Sequence, residues 1–138
     1  MEASAGRTTW VRKLMTVPDD KVREVTEAAV IAVNDRQLSV PKAASAGRRA
    51  LSALPGFESG DALASALLLA AAPERMAVYD RRAQKGLKVL GLQLSPARGR
   101  YGRYMELVGQ LQVIASEHGR VWSARDVDRP LLARRSNT

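Results

Sequence analysis

The chain has 138 residues, of which 46% are hydrophobic and 4% aromatic, with 22 Lys+Arg against 14 Asp+Glu and a formal net charge of +8. That length supports one domain with its own core, and abundant alanine and leucine with few aromatics favour helix packed on helix. With no cysteine and a single histidine, disulfides and thiolate metal sites are excluded, and a histidine-built metal or Ser-His-Asp centre is not expected.

Residues 1–15 show no clear periodicity and read as a flexible or loosely docked N-terminal arm, from which Trp10, Val11 and Leu14 could pack back. A single helical domain is expected over 16–138. Thr16-Val17-Pro18-Asp19 combines a capping residue, an early proline and acids in the first turn, which opens a helix. Val22, Val25, Ala29 and Val33 then recur at helical spacing and carry it to about Asn34. Ser39-Val40-Pro41 starts the next helix, expected to continue to Leu54. Residues 62–72 are apolar all round, as a central buried helix would be. Pro73 ends that helix.

Asp80 opens a further helix that closes near Gly91. The segment 95–100 is a basic, glycine-containing loop. A long helix from about Tyr101 to Glu117 carries Tyr104, Leu107, Val108, Leu111, Ile114 and Ala115 as a stripe, and Gly119 closes it. Ser123 to Asp126 is a capping box for a last helix reaching about Arg134. The expectation is an all-α, compact bundle of about five to six helices containing a helix-hairpin-helix.

Charge is uneven. Residues 1–69 carry nine basic and eight acidic side chains, whereas residues 70–138 carry thirteen and six. A basic half points to an anionic partner, nucleic acid being the commonest. Arg81, Lys85 and Lys88 share one face of their helix by spacing. Arg98, Arg100 and Arg103, interleaved with Tyr101 and Tyr104, form a second cluster able to fork onto phosphate and stack on bases. The longest uncharged run, residues 62–73, falls far short of the roughly 20 needed to span a bilayer. No N-terminal apolar run marks a signal peptide. No membrane association is expected, and a cytoplasmic, nucleoid-associating protein is.

Pro55-Gly56 between two helices makes a turn in which glycine permits backbone angles other residues resist. The first N–H groups of the following helix would face whatever lies in front, and phosphate suits them. Leu54, Ala62 and Ala66 would tie the two helices together. Leu54-Pro55-Gly56-Phe57, followed by Asp61-Ala62 and an apolar helix, resembles the helix-hairpin-helix of the base-excision DNA glycosylase superfamily, in its 8-oxoguanine glycosylase branch. That family places a catalytic aspartate some two dozen residues after the Pro-Gly, at the start of a helix. Asp80 stands there in this chain.

The resemblance implies binding of double-stranded DNA through backbone phosphates at Pro55, Gly56, Phe57 and Gly60, aided by Arg81, Lys85, Lys88, Arg98, Arg100 and Arg103. It implies Asp80 as the catalytic acid residue of an N-glycosylase acting on a flipped, modified base. Gly60 stands where lyase members carry a lysine, so a monofunctional enzyme without lyase activity is implied. Glu58 stands where the family has a second glycine. No cofactor or metal is expected. Two alternatives remain at this level: a catalytically inactive DNA-binding or regulatory module, and a helical protein-interaction domain meeting an acidic protein partner or a second copy of itself. Asp80 as a simple helix cap is compatible with either. Asp126 and Asp128 are candidates to face Asp80 as a carboxylate pair.

Overall fold

The computed structural model describes residues 2–58, 60–124, 126 and 127. Among these the protein is all-helical: α1 (Glu2–Met15), α2 (Asp19–Asn34), α3 (Val40–Leu51), α4 (Ala62–Ala71), α5 (Arg81–Val89) and α6 (Arg100–Glu117). The expected all-α bundle is observed, and no helix in the described residues is long and apolar enough to cross a membrane. Of the segment expected as an arm, Glu2–Met15 is helical, with Leu14 packed against the core and Trp10 against the α3–α4 turn.

Helix α3 is the centre of the bundle, touching α2, α4 and α6. Its small residues explain why. Ala43, Ala44 and Gly47 are buried on it, and small side chains let neighbouring backbones approach. A Cβ at Gly47 would stand 2.6 Å from Val33 Cγ1 and 3.1 Å from Leu68 Cδ2. Gly102 does the same on the other side, where a Cβ would overlap the Ser45 hydroxyl and meet the Pro41 carbonyl oxygen at 3.1 Å. A glycine inside a helix costs about 1 kcal/mol relative to alanine. Here the close crossings of α3 with α2 and α6 offset it.

Helix α4 departs from expectation. It is not the buried centre: Ala64, Ser65 and Leu68 face the core, while Ala62, Leu63, Ala66 and Ala70 are exposed. Leu54 is buried as expected, but Ala62 and Ala66 do not tie α3 to α4. A helix that is apolar on every face gives no moment by which sequence can assign its inward side. Packing by the neighbouring α2 and α3 assigned it.

Helix ends follow local chemistry. Ser39 caps α3 by accepting from the Lys42 N–H. Pro18, not Thr16, is the capping residue of α2, and the Thr16 hydroxyl instead donates to the Lys13 carbonyl. Gly91 and Gly119 end α5 and α6 at φ +78° and +76°. In each, the next residue's N–H reaches back to a last-turn carbonyl, Leu92 to Leu87 and Arg120 to Ala115, the six-to-one closure that left-handed glycine allows. Helix α3 ends at Leu51, earlier than expected, and residues 52–57 form turns. The capping box at Ser123 forms, with reciprocal bonds between Ser123 and Asp126. The remainder of the last expected helix, with Asp128, lies outside the described residues.

Long-range polar ties finish the frame. Arg75 donates to the carbonyls of Val33, Asp35 and Leu38, gathering orphan acceptors at the end of α2. Tyr101 donates to the Ala77 carbonyl at 2.7 Å. Gly102→Ala should destabilise the protein by about 1–3 kcal/mol through overpacking of the α3–α6 crossing. Chemical denaturation checks this, and an unchanged midpoint would contradict the crossing.

Candidate functional site

Leu54 to Phe57 form a Pro-Gly turn. The Leu54 carbonyl accepts from the Phe57 N–H at 3.1 Å, and Gly56 sits at φ +92°. That is the type II geometry a Pro-Gly pair favours, with glycine at the positive-φ position. Yet the turn does not present itself as expected. A Cβ at Gly56 would run into the Trp10 indole, so α1 covers that side of the glycine. The Gly56 N–H donates to the Glu58 carboxylate. Phe57 is buried in the core. The turn's amide is thus held by an anion of the chain itself, and Pro55 and Gly56 are half-buried.

Arg48 on α3 holds the rest of this segment. It donates from Nε to Asp61 Oδ1 at 2.8 Å, from Nη1 to the Phe57 carbonyl at 2.6 Å and from Nη2 to the Gly60 carbonyl at 2.8 Å. Asp61 is 8% exposed, and its second oxygen accepts from Arg100 Nε at 2.8 Å. Asp61 occupies the capping position of α4 but makes no side-chain cap bond, because both oxygens face arginines. Arg100 also lies 5.4 Å over the Tyr79 ring, a cation–π arrangement. Nothing at the level of sequence distinguished Asp61 from an ordinary cap. Its partners stand 13 and 39 positions away.

Asp80 begins α5 and caps it, Oδ1 accepting from the Ala83 N–H at 3.0 Å. The segment before it is anchored by buried Ser65 on α4, whose hydroxyl accepts from the Tyr79 N–H at 2.8 Å. The Asp126 carboxylate accepts from the Ser123 N–H in its own capping box. Among the described residues, no three His, Asp or Glu side chains come together as a metal site would require.

The basic residues do converge. One cleft of about 520 Å³ lies between the Arg48–Asp61 junction and the start of α6, with Arg49, Arg98 and Arg100 in its lining. A second, of about 470 Å³, is lined by Arg81, Lys85, Lys88 and Arg100, with Leu92, Leu94 and Tyr79 as its apolar part. Pro96 and Arg100 line both, and Asp80 lines neither. Arg103 is committed elsewhere: it donates to the carbonyls of Ser95, Ala97 and Arg98 and pins the loop from which Arg98 projects. Tyr101 and Tyr104 are buried, not available to stack on a base, and Tyr104 packs on Tyr79 at 4.6 Å between ring centres. Both rings face inward where α6 packs on the core.

No protein-family model, curated protein or solved structure matches the chain. The likeness to helix-hairpin-helix glycosylases therefore rests on the residues around Gly56 and on Asp80.

Asp61→Asn should cost about 2–4 kcal/mol, somewhat under the 3–5 typical of breaking a fully buried pair, since both arginines keep some solvent contact. Thermal and denaturant unfolding test this; a change below about half a kcal/mol, within the range of an ordinary surface substitution, would show the triad to be dispensable. Burial raises the Tyr79 phenol above its ordinary value, Arg100 pulling the other way. Below the unfolded value near 10 the phenol is neutral in both states. Above it the unfolded chain ionises first, so stability is lost as pH rises towards the folded value. Tyr79→Phe should flatten the stability profile above about pH 10, and an unchanged profile would contradict it.

Proposed function

We propose that this protein binds nucleic acid, double-stranded DNA first of all, through the exposed face of α5 and the loop that follows it. The observation that carries the reading is the second cleft. Arg81, Lys85 and Lys88 line it at successive helical turns, and among the described residues no carboxylate is in its lining. Phosphate diesters displaced onto such a row release condensed counterions, which supplies affinity without sequence readout. Gln84 and Gln93 in the same lining add neutral donors of the kind that fix a backbone in register. Arg100, held by Asp61 and Tyr79, is a fixed positive charge at the cleft's end, whereas the α5 side chains are free to adapt.

This reading moves the contact surface away from the Pro-Gly turn, whose amide Glu58 occupies. It also leaves out cleavage of an N-glycosidic bond at Asp80, which caps α5 and lines neither cleft. What it keeps from the sequence is the partner and five basic residues: Arg81, Lys85, Lys88, Arg98 and Arg100.

Binding to a fluorescent duplex across a salt series tests the proposal. Affinity should fall steeply with salt. The double variant Lys85→Ala/Lys88→Ala should reduce the log–log slope by about 0.9 for each lysine removed from a phosphate, or about 2 for the pair. Gly56→Ala, by contrast, should weaken binding only as far as it unsettles the fold. Absence of binding at low salt by folded protein would reject the proposal and turn the search to acidic protein partners.

A further inference from the structure

The first cleft differs from the second in kind. The second is a row of cations without acids among the described residues. The first is a compact recess that mixes four guanidinium groups with two carboxylates: Arg48, Arg49, Arg98 and Arg100 with Glu58 and Asp61. Arg48 and Arg100 are spent on Asp61, and Glu58 is held by the Gly56 N–H. Arg49 on α3 and Arg98 on the loop before α6 are exposed, and no hydrogen bond or ion pair engages either side chain among the described residues. They come from different walls of the recess, one on α3 and one on the loop before α6, near where α3 and α6 cross closely at Gly102.

Between those walls α6 begins. Gly99 stands at its capping position at φ +87° and provides no side-chain cap. Arg100, Tyr101 and Gly102 line the recess, so the positive dipole end of an 18-residue helix adds to the two arginines. The four guanidiniums and two carboxylates leave a net charge of +2 in the lining, which matches one small dianion better than a long polyanion. A phosphate monoester has three terminal oxygens and a charge near −2 at neutral pH, and it can take a fork from each arginine. An internal phosphodiester has two such oxygens and one charge.

We propose that the first cleft holds the terminal phosphate monoester of a nucleic-acid strand whose backbone lies along the second cleft, so that the protein prefers phosphorylated ends. The shared Pro96 and Arg100 make the two clefts neighbours, and a strand leaving α5 enters the first cleft there. This rests on the proposed binding of nucleic acid along α5 and names the part of the molecule recognised.

The experiment compares duplexes of one sequence carrying 5′-phosphate, 3′-phosphate or only hydroxyl ends, with a hairpin-closed duplex that has no free end. Affinity is read by fluorescence anisotropy at fixed salt, using duplexes short enough that ends are a large share of the sites. One of the two phosphorylated duplexes should bind about tenfold more tightly than the hydroxyl and closed duplexes, in keeping with one pair of charge-assisted contacts. Arg49→Ala and Arg49→Ala/Arg98→Ala should bring that ratio close to one. Lys85→Ala/Lys88→Ala should weaken all duplexes together and keep the ratio. Equal binding of all four duplexes, still salt-sensitive and still dependent on Lys85 and Lys88, would overturn the end preference and leave the nucleic-acid reading standing. No binding of any duplex would reject both. A free 5′-mononucleotide or inorganic phosphate binding as tightly as the phosphorylated duplex would also overturn it, since the recess would then be a site for small phosphates.

Discussion

Asp61 and its two arginines hold together three pieces of chain that share no local interaction. Arg48 comes from the central helix, Asp61 from the start of α4 and Arg100 from the start of α6. The carboxylate is almost fully buried, and a buried charge is tolerated only when paired and hydrogen-bonded. Both its oxygens are satisfied, and Arg48 spends its remaining donors on two carbonyls of the same turn. The three groups sum to one positive charge. The bundle therefore closes around a cationic junction, whose Arg100 lines both clefts. Such a triad is weak evidence for raw stability, because desolvation offsets much of the attraction. What it supplies is register: α4 and α6 can meet α3 only where the carboxylate reaches both guanidiniums.

The same junction explains why the Pro-Gly turn is closed. Arg48 draws the carbonyls of Phe57 and Gly60 inward, which turns the Phe57 ring into the core and leaves Glu58 able to fold back onto the Gly56 amide. Trp10 completes the enclosure from α1. A turn whose donors are already satisfied by a carboxylate has little left to give a phosphate. Positive potential is instead concentrated on α5 and the loop before α6, where Arg81, Lys85, Lys88 and Arg98 are exposed. Arg103, by stapling the carbonyls of that loop, holds Arg98 in place without offering its own charge outward.

Asp80 shows how a capping role and a catalytic appearance arise from one pattern. An aspartate ahead of a helix, two dozen residues past a Pro-Gly, is what a glycosylase would carry, and it is also what any short helix needs. Its bond from the Ala83 N–H satisfies an amide that would otherwise be orphaned. Ser65 fixes its approach by tying Tyr79 to α4. These bonds account for the position of the carboxylate without a substrate.

Local chemistry along the chain was enough to place α2 to α6, though not α1, whose residues show no clear periodicity. Proline and serine at the start of α3, Asp80 at the start of α5, the glycines after α5 and α6, and the Val25–Ala29–Val33 spacing of α2 each act within a turn or two of themselves. The charge split between the halves and the shared face of Arg81, Lys85 and Lys88 were equally readable, since spacing alone sets them. The inward side of α4 was not, because an all-apolar helix carries no direction. Nor was the fate of Tyr101 and Tyr104, which depended on where α6 meets α3. The Arg48–Asp61–Arg100 junction, the enclosure of Gly56 and the placing of Arg49 and Arg98 in one recess belong to tertiary structure alone. Each joins residues far apart in the chain, and an ion pair or a filled glycine face exists only once packing has brought its members within a few ångströms.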